Sequence, residues 1–282
     1  MLNIWQNMQG AAIAVPCFLG RFRIKTIPYT GSSIILAHRK VFDAGSLYKN
    51  NKGKEKSMIL HPIAIIENGF PEKFGIPRQS CLADTLARII FEPEYRNPDA
   101  LKGLEEYSHI WLLWEFSESV RDKWSPTVRP PRLGGNKRKG VFATRSPFRP
   151  NPIGLSVVEL TRIEWQTPKG PVLHIKGADL MNGTPIYDIK PYLPHIDSRS
   201  EASGGFSAVV KEDRLKVEFP GHLRNIMKSE DEKVLCQILR QDPRPSYQND
   251  PERIYGMQFE GWEIKFRVEE DELYVCGIEP VT

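Results

Sequence analysis

From residue 59 onward the apolar residues come in short runs: ILHPIAII, LARIIF, YSHIWLLWEF, LSVVELTRIEW and PVLHIKGADL. Each is rich in β-branched or aromatic side chains and is bounded by Gly, Pro or Asn, the pattern of short strands. No helical patterns of about twelve residues separate them, which argues against alternating βαβ units. The expectation is a mainly β fold, a sheet or small barrel, over residues 58–200.

After Ser200 the texture changes. SEDEKVLCQILRQ, Ser229 to Gln241, places Val234, Leu235, Ile238 and Leu239 on one helical stripe, gives Ser229 and Glu232 capping-box spacing, and ends at Asp242-Pro243. GWEIKFRVEEDELYVCGIEPV reads as a hairpin that turns at EEDE, with Trp262, Ile264, Phe266 and Val268 on one face. A small C-terminal α+β domain over residues 201–282 follows.

Residues 1–57 stand apart. They hold nine Lys/Arg and two Asp/Glu, a charge of +7, so the remainder of a chain with net charge +4 carries −3. A polyanion must therefore be held by a local patch, because the main body as a whole repels it. The stretch SLYKNNKGKEKS, 46–57, has no apolar period and reads as a linker or disordered segment with a boundary near Met58. The extension reads as a targeting segment, an additional element, or translated sequence upstream of a start at Met58. Its first apolar run is broken by Pro16 and has no charge ahead of it, which does not fit a secretory signal.

Cys17, Cys81, Cys236 and Cys276 are far apart and show no CxxC or Cys/His ligand spacing, so reduced thiols in a cytoplasmic protein and no metal are expected. No run approaches the roughly 18 apolar residues of a membrane span. GxGxxG, GxxxxGK[ST], GxSxG, HExxH and HxE…PCxxC motifs are absent, which removes support for Rossmann, NTPase, serine hydrolase, zincin and deaminase readings.

The densest chemical signal is Ser125 to Gly154, with seven Lys/Arg, six Pro and no Asp or Glu. Proline removes in advance much of the backbone entropy, about 1–2 kcal/mol per residue, that ordering a basic loop on an anion costs. A rigid anion or nucleotide site is favoured over a merely solvated charge run. Arg145 and Arg149 offer planar forks, and Asn151 a paired donor and acceptor. Four further clusters surround it in sequence: KFGIPRQSC, where a turn brings Lys73, Arg78 and Gln79 together; YSHIWLLWEFSES, whose His109, Trp111 and Trp114 read as a buried strand; IKGADLMNGTPIYDIKPYLP, whose charges interleave with turn residues; and QDPRPSY, a stiffened arginine near an aromatic.

Taken in order, KFGIPRQ, GLEEYSHIWLLWEF, RPPRLGGN, GVFATRSPFRPNPIGLSVVEL, DLMNGTPIYDIKPYLP and DPRPSY resemble the TsaA-like/YaeB family of tRNA methyltransferases, from about His61 to the C-terminus. The resemblance implies an S-adenosylmethionine-dependent enzyme on a small non-Rossmann β-barrel, a homodimer with a C-terminal α+β domain. It would methylate the exocyclic nitrogen of the threonylcarbamoyl-modified adenosine 3′ of the tRNA anticodon. It places the cofactor on Gln79, Ser80, Cys81, Ser117, Glu118, Arg145, Leu155, Lys176, Gly177, Ala178 and Asp179. For the tRNA the candidates are Arg149, Asn151, Asp242, Arg244 and Tyr247, with Arg149 or Arg244 pairing the threonyl carboxylate. No residue is singled out as a base. Where the family reads PRQPG this chain has PRQSC, so Cys81 is strained or the turn reshaped if that position needs φ > 0. The rival readings are a noncatalytic nucleotide- or RNA-binding module and an enzyme on another cofactor.

Overall fold

The computed structural model describes residues 48–49, 55–56, 59–119, 123–130, 133, 137–209, 215–244, 248 and 250–281. Tyr247 and almost all of the N-terminal extension lie outside the described residues. Within the polar stretch 46–57, Tyr48–Lys49 pairs antiparallel with Glu55–Lys56, a two-rung ladder where the composition suggested a linker.

Six strands close into an antiparallel barrel: β1 (Ala64–Asn68), β2 (Leu86–Phe91), β3 (His109–Glu115), β4 (Ile153–Glu164), β5 (Val172–Lys176) and β6 (Pro185–Pro191). Their order around the barrel is β6-β1-β2-β5-β4-β3, with β3 returning to β6. Period-two alternation fills the interior: Ile110, Leu112 and Trp114 of β3 meet Ile66, Ile89, Val158, Leu173 and Ile186. The same alternation corrects the reading of β3 as uniformly buried, because His109 and Trp111 face outward and are only partly covered. The sixth strand, PIYDIKP, read as a turn region in the sequence; its two prolines and two charges hide the strand pattern, but Asp188 and Lys190 lie on it as an ion pair at 2.8 Å.

A second sheet joins β7 (Lys216–Glu218), β8 (Tyr255–Phe259), β9 (Trp262–Glu269) and β10 (Glu272–Pro280) in the order β7-β10-β9-β8, with β7 parallel to β10. The expected hairpin is β9–β10, and its turn residue Glu270 takes φ 51°. The helix Ser229–Arg240 buries Val234, Leu235, Ile238 and Leu239 in the same core as Ile264, Phe266 and Val268. Its capping box is not formed. Lys228 is the N-cap without a side-chain bond, and Glu232 instead pairs with Arg224 at 2.8 Å.

In an antiparallel barrel the connections alternate between its two ends. Those after β1, β3 and β5 therefore open at one rim. The β2–β3 connection runs at the opposite end, where Leu101 joins the barrel core. The β1–β2 loop at the site rim is packed into the core of the second sheet: Phe70 meets Phe259 at 5.3 Å between ring centroids and Phe74 stacks on Phe266 at 6.4 Å. Gly75, at φ 92°, lies so close that a Cβ would fall 2.4 Å from Met257 Cε.

Candidate active site at one rim of the barrel

Three loops of this rim carry most of the residues singled out in the sequence: Gln79, Ser80 and Cys81 from β1–β2, Ser117 to Asn151 from β3–β4, and Gly177 to Asp179 from β5–β6. Backbone bonds stitch the first and third loops together. Cys81 N–H donates to Gly177 O at 2.8 Å, Gly177 N–H to Thr85 O at 2.9 Å, and the buried Thr85 hydroxyl to Ala178 O at 2.7 Å. Gly177 has φ 87°, and a Cβ there would meet Cys81 Sγ at 3.2 Å and its Cα at 3.3 Å, so the seam requires glycine.

At the seam Cys81 itself adopts φ 61°. The position thus demands the left-handed conformation that glycine takes freely, at a cost of roughly 1–2 kcal/mol for any other L-residue. Its thiol donates to Val157 O at 3.4 Å. Burial, and then the carboxylates of Asp179 and Glu159, push the thiol pKa up, which holds it protonated at neutral pH.

Across the seam, Arg145 donates Nη1 to Gln79 Oε1, joining the basic loop to PRQSC. Asp179 accepts from Ser156 Oγ at 2.6 Å, and Ser156 accepts from Trp114 Nε1 at 3.0 Å. Burial raises the Asp179 pKa most, opposed by the Ser156 bond and the Arg145 charge. Gly154 makes room for Trp114: a Cβ there would stand 2.2 Å from the indole. Lys176 pairs with Glu159 at 2.7 Å and Asp84 at 3.7 Å, and the Glu159 hydrogen bond raises its pKa.

Ser117 and Glu118 form a single 3-10 turn, where the Lys73 ammonium donates to Glu118 O. Phe116 N–H donates to Pro152 O at 2.9 Å and closes the base of the long loop. Asn151 is exposed and Leu155, on the outer face of β4, is 53% exposed. Arg149 donates one Nη1 bond, to Thr144 O at 3.2 Å, and is half-buried.

Asp242 and Arg244 belong to the second sheet's unit. There they form a bidentate pair with Nε–Oδ1 at 2.9 Å and Nη2–Oδ2 at 3.0 Å. Arg244 is 8% exposed and its fork faces Asp242. Arg78, one residue before Gln79, donates to Asp242 O at 3.0 Å and Arg244 O at 2.9 Å, so the DPRP turn is tied to the PRQSC loop by its backbone. A recess of about 300 Å³ is lined by Cys81 and Asp84 together with Gln237 and Arg240 of the helix, beside the seam rather than over Asp179.

Three features escape sequence reasoning. Ser156 is one; a lone hydroxyl in the inward register of β4, between Gly154 and Val158, was its visible signal. The second is Glu115, 7% exposed, which accepts from Tyr187 OH at 2.5 Å. Tyr187 sits in the bulge between Ile186 and Asp188, and burial raises its pKa further above its ordinary range. The third is the pairing of Asp84 with Gln237, 153 residues apart, for which no local signal exists. Among the described residues no group of three or more His, Cys, Asp and Glu is arranged to hold a metal.

A closed six-stranded antiparallel barrel whose rim loops join cationic, amide and carboxylate side chains sets this chain in the class of non-Rossmann β-barrel proteins. The tRNA-methyltransferase O N-terminal domain model matches residues 65–198, and the TrmO C-terminal domain model residues 212–281. The tRNA (adenine(37)-N6)-methyltransferase of Escherichia coli (strain K12) is 37% identical over 227 residues, 77% of this chain and 96% of that protein. That of Eikenella corrodens is 48% identical over 164 residues, 58% of this chain and 92% of that protein. The crystal structure of TrmO from Pseudomonas aeruginosa superposes with a TM-score of 0.63 at 31% identity, covering 79% of this chain and all of that one. The chain belongs to the TrmO family.

Proposed function

We propose that this chain is an S-adenosylmethionine-dependent methyltransferase acting on N6 of tRNA adenosine 37, and that its substrate is the threonylcarbamoyl-modified base. The observation that carries the reading is the convergence of Gln79, Arg145 and Asp179 on one seam at the rim, in a chain that belongs to a family of tRNA methyltransferases. The donor set fits the cofactor: Asp179 and Glu118 suit its cationic and hydroxyl groups, the Gln79–Arg145 pair its carboxylate, and the exposed Leu155 its adenine face. Lys176, Gly177 and Ala178 frame the same side through their backbone, with Ser80 and Cys81 on the loop bonded to them and Ser117 on the β3–β4 loop.

The cofactor supplies a methyl group already activated by its sulfonium, so the protein's principal task is alignment, which is worth of order 7–11 kcal/mol at best. The seam performs it by fixing two loops to each other, and Trp114–Ser156–Asp179 holds the carboxylate at one angle. Arg149 faces the substrate's threonyl carboxylate, a charge-assisted pairing suited to its planar fork. Asn151 contacts the RNA, Asp242–Arg244 acts through its turn, and Tyr247, three residues further along the chain, is a further RNA contact in this reading. The enzyme works in the cytoplasm, where its tRNA is found, as a homodimer.

Incubation with labelled S-adenosylmethionine and tRNA with or without the threonylcarbamoyl group, followed by nucleoside mass spectrometry, tests the reading. Methyl on the modified adenosine alone is the expected result. Transfer to unmodified tRNA would overturn the substrate, and cofactor binding without transfer would favour a binding module.

A further inference from the structure

Two large aromatic rings on the β3–β4 loop lie open to solvent. Trp124 is 51% exposed and Phe142 71%, and their centroids stand 6.2 Å apart at an interplanar angle of 29°. A stacked pair differs from the single exposed apolar side chains that any surface carries.

The backbone builds this pair. Thr127 pairs with Gly140 and Val128 with Lys139 in a short antiparallel ladder, which Val141 N–H extends by donating to Pro126 O at 3.0 Å. Trp124 lies three residues before the first strand of that ladder, and Phe142 lies in the 3-10 turn Val141–Ala143 that follows the second. Val141, 1% exposed, anchors it to the body, while Ser125 Oγ bonds Thr127 O at 2.8 Å and Arg138 Nη1 bonds Thr127 Oγ1 at 2.9 Å. The backbone that carries the rings is thus fixed before any ligand arrives, so little backbone ordering cost falls on binding.

The chemistry around them is one-sided. Lys139 lies on the ladder with Arg138 just before it, and Arg145 is three residues beyond Phe142, within Ser125–Gly154, which holds seven Lys/Arg and no Asp or Glu; Asp122, two residues before Trp124, is the nearest acidic residue in the sequence. A second copy of this loop would set cations against cations. A nucleic acid single strand answers both features at once, its base faces stacking on the rings and its phosphates meeting the cations.

We propose that Trp124 and Phe142 form a stacking platform for an unpaired RNA base, a neighbour of the target adenosine in the anticodon loop, with Arg138 and Lys139 at the adjoining phosphates. The assignment of that RNA rests on the function proposed above; the platform does not need methyl transfer.

The test is fluorescence anisotropy of the full chain with a labelled, unmodified anticodon stem-loop RNA over a range of salt. Phe142→Ala and Trp124→Ala should each weaken binding about tenfold while leaving the slope of log Kd against log salt unchanged, and Phe142→Trp should restore it. Lys139→Ala should instead reduce the slope by about 0.7–0.9. S-adenosylmethionine affinity, measured by calorimetry, should not move in any of these variants. Phe142→Ala binding within twofold of wild type at every salt concentration overturns the platform. So does a change from dimer to monomer in sedimentation that accounts for the lost affinity, which would assign the face to a second copy. Platform-dependent RNA binding by a wild-type chain that transfers no methyl overturns the function and leaves the platform standing.

Discussion

Gln237 and Asp84 hold each other twice across the boundary between helix and barrel: Asp84 N–H donates to Gln237 Oε1 at 2.7 Å, and Gln237 Nε2 donates to Asp84 Oδ2 at 2.9 Å. With the Arg78 bonds to the DPRP backbone and the burial of Phe70 beside Phe259, this makes the β1–β2 loop as much a part of the second sheet's unit as of the barrel. The loop carries Gln79, Ser80 and Cys81, so the C-terminal unit shapes this part of the rim from behind.

Gln237→Ala should therefore cost about 1 kcal/mol in stability, the usual net worth of a hydrogen bond, and also weaken S-adenosylmethionine binding. The second effect separates positioning from mere packing. In Gln237→Glu the new carboxylate faces Asp84, so affinity should fall further. Combining it with Asp84→Asn restores a donor and an acceptor in reversed roles and should recover binding, read by calorimetry. No recovery in the double variant would reject the coupling.

Cys81 occupies a left-handed position at φ 61°. Cys81→Gly removes a conformational cost of roughly 1–2 kcal/mol but adds backbone entropy to the unfolded chain, roughly 0.5–1 kcal/mol. The net expectation is a small gain in denaturation midpoint. Cys81→Val, β-branched at the same φ, should lower the midpoint clearly. Equal midpoints for the two variants would show that the seam relaxes around this residue.

The strand β2 could be read in the sequence to the residue, because LARIIF is a plain run of β-formers between turns. The strand β6 could not, since PIYDIKP draws its strand geometry from pairing with Leu112, Leu113 and Trp114 rather than from its own composition. The site divides in the same way. Its loops stood out by composition and order, whereas Ser156 gains meaning only when the barrel brings β4 against Asp179. The capping box at Ser229 failed because Arg224, five residues earlier, competes for Glu232 at 2.8 Å.

Burial raises the Asp179 pKa above the ordinary aspartate range. In the window between the unfolded and folded pKa the native state binds the extra proton, so stability is greatest below the unfolded value and falls as pH rises through the folded one. Asp179→Asn, whose Oδ1 still accepts from Ser156, should match wild type near pH 4 and exceed it in melting temperature at pH 7, while losing methyl transfer. Scans of melting temperature against pH check the sign. A deficit at pH 7 would mean that the ionised carboxylate is more strongly held by Arg145 and Ser156 than burial opposes it.

Arg149 and Arg244 are both arginines beside prolines, yet their surroundings differ. Both nitrogens of the Arg244 fork that bond Asp242 lie within 3.0 Å of a carboxylate oxygen, whereas the Arg149 side chain bonds a single carbonyl, at 3.2 Å. A substrate carboxylate therefore competes with a full ion pair at Arg244 and with one hydrogen bond to an uncharged carbonyl at Arg149. Charge-assisted bonds contribute about 1.5–3 kcal/mol, so Arg149→Ala should reduce kcat/KM on threonylcarbamoyl tRNA by about ten- to hundredfold, with S-adenosylmethionine affinity unchanged. Arg149→Lys keeps the charge but not the fork, and should recover only part of the loss. Arg244→Ala should act differently: it leaves Asp242 uncompensated, so it should lower the melting temperature along with activity. Kinetics and thermal denaturation of the three variants decide the assignment, and a wild-type rate in Arg149→Ala would remove this residue from the substrate site.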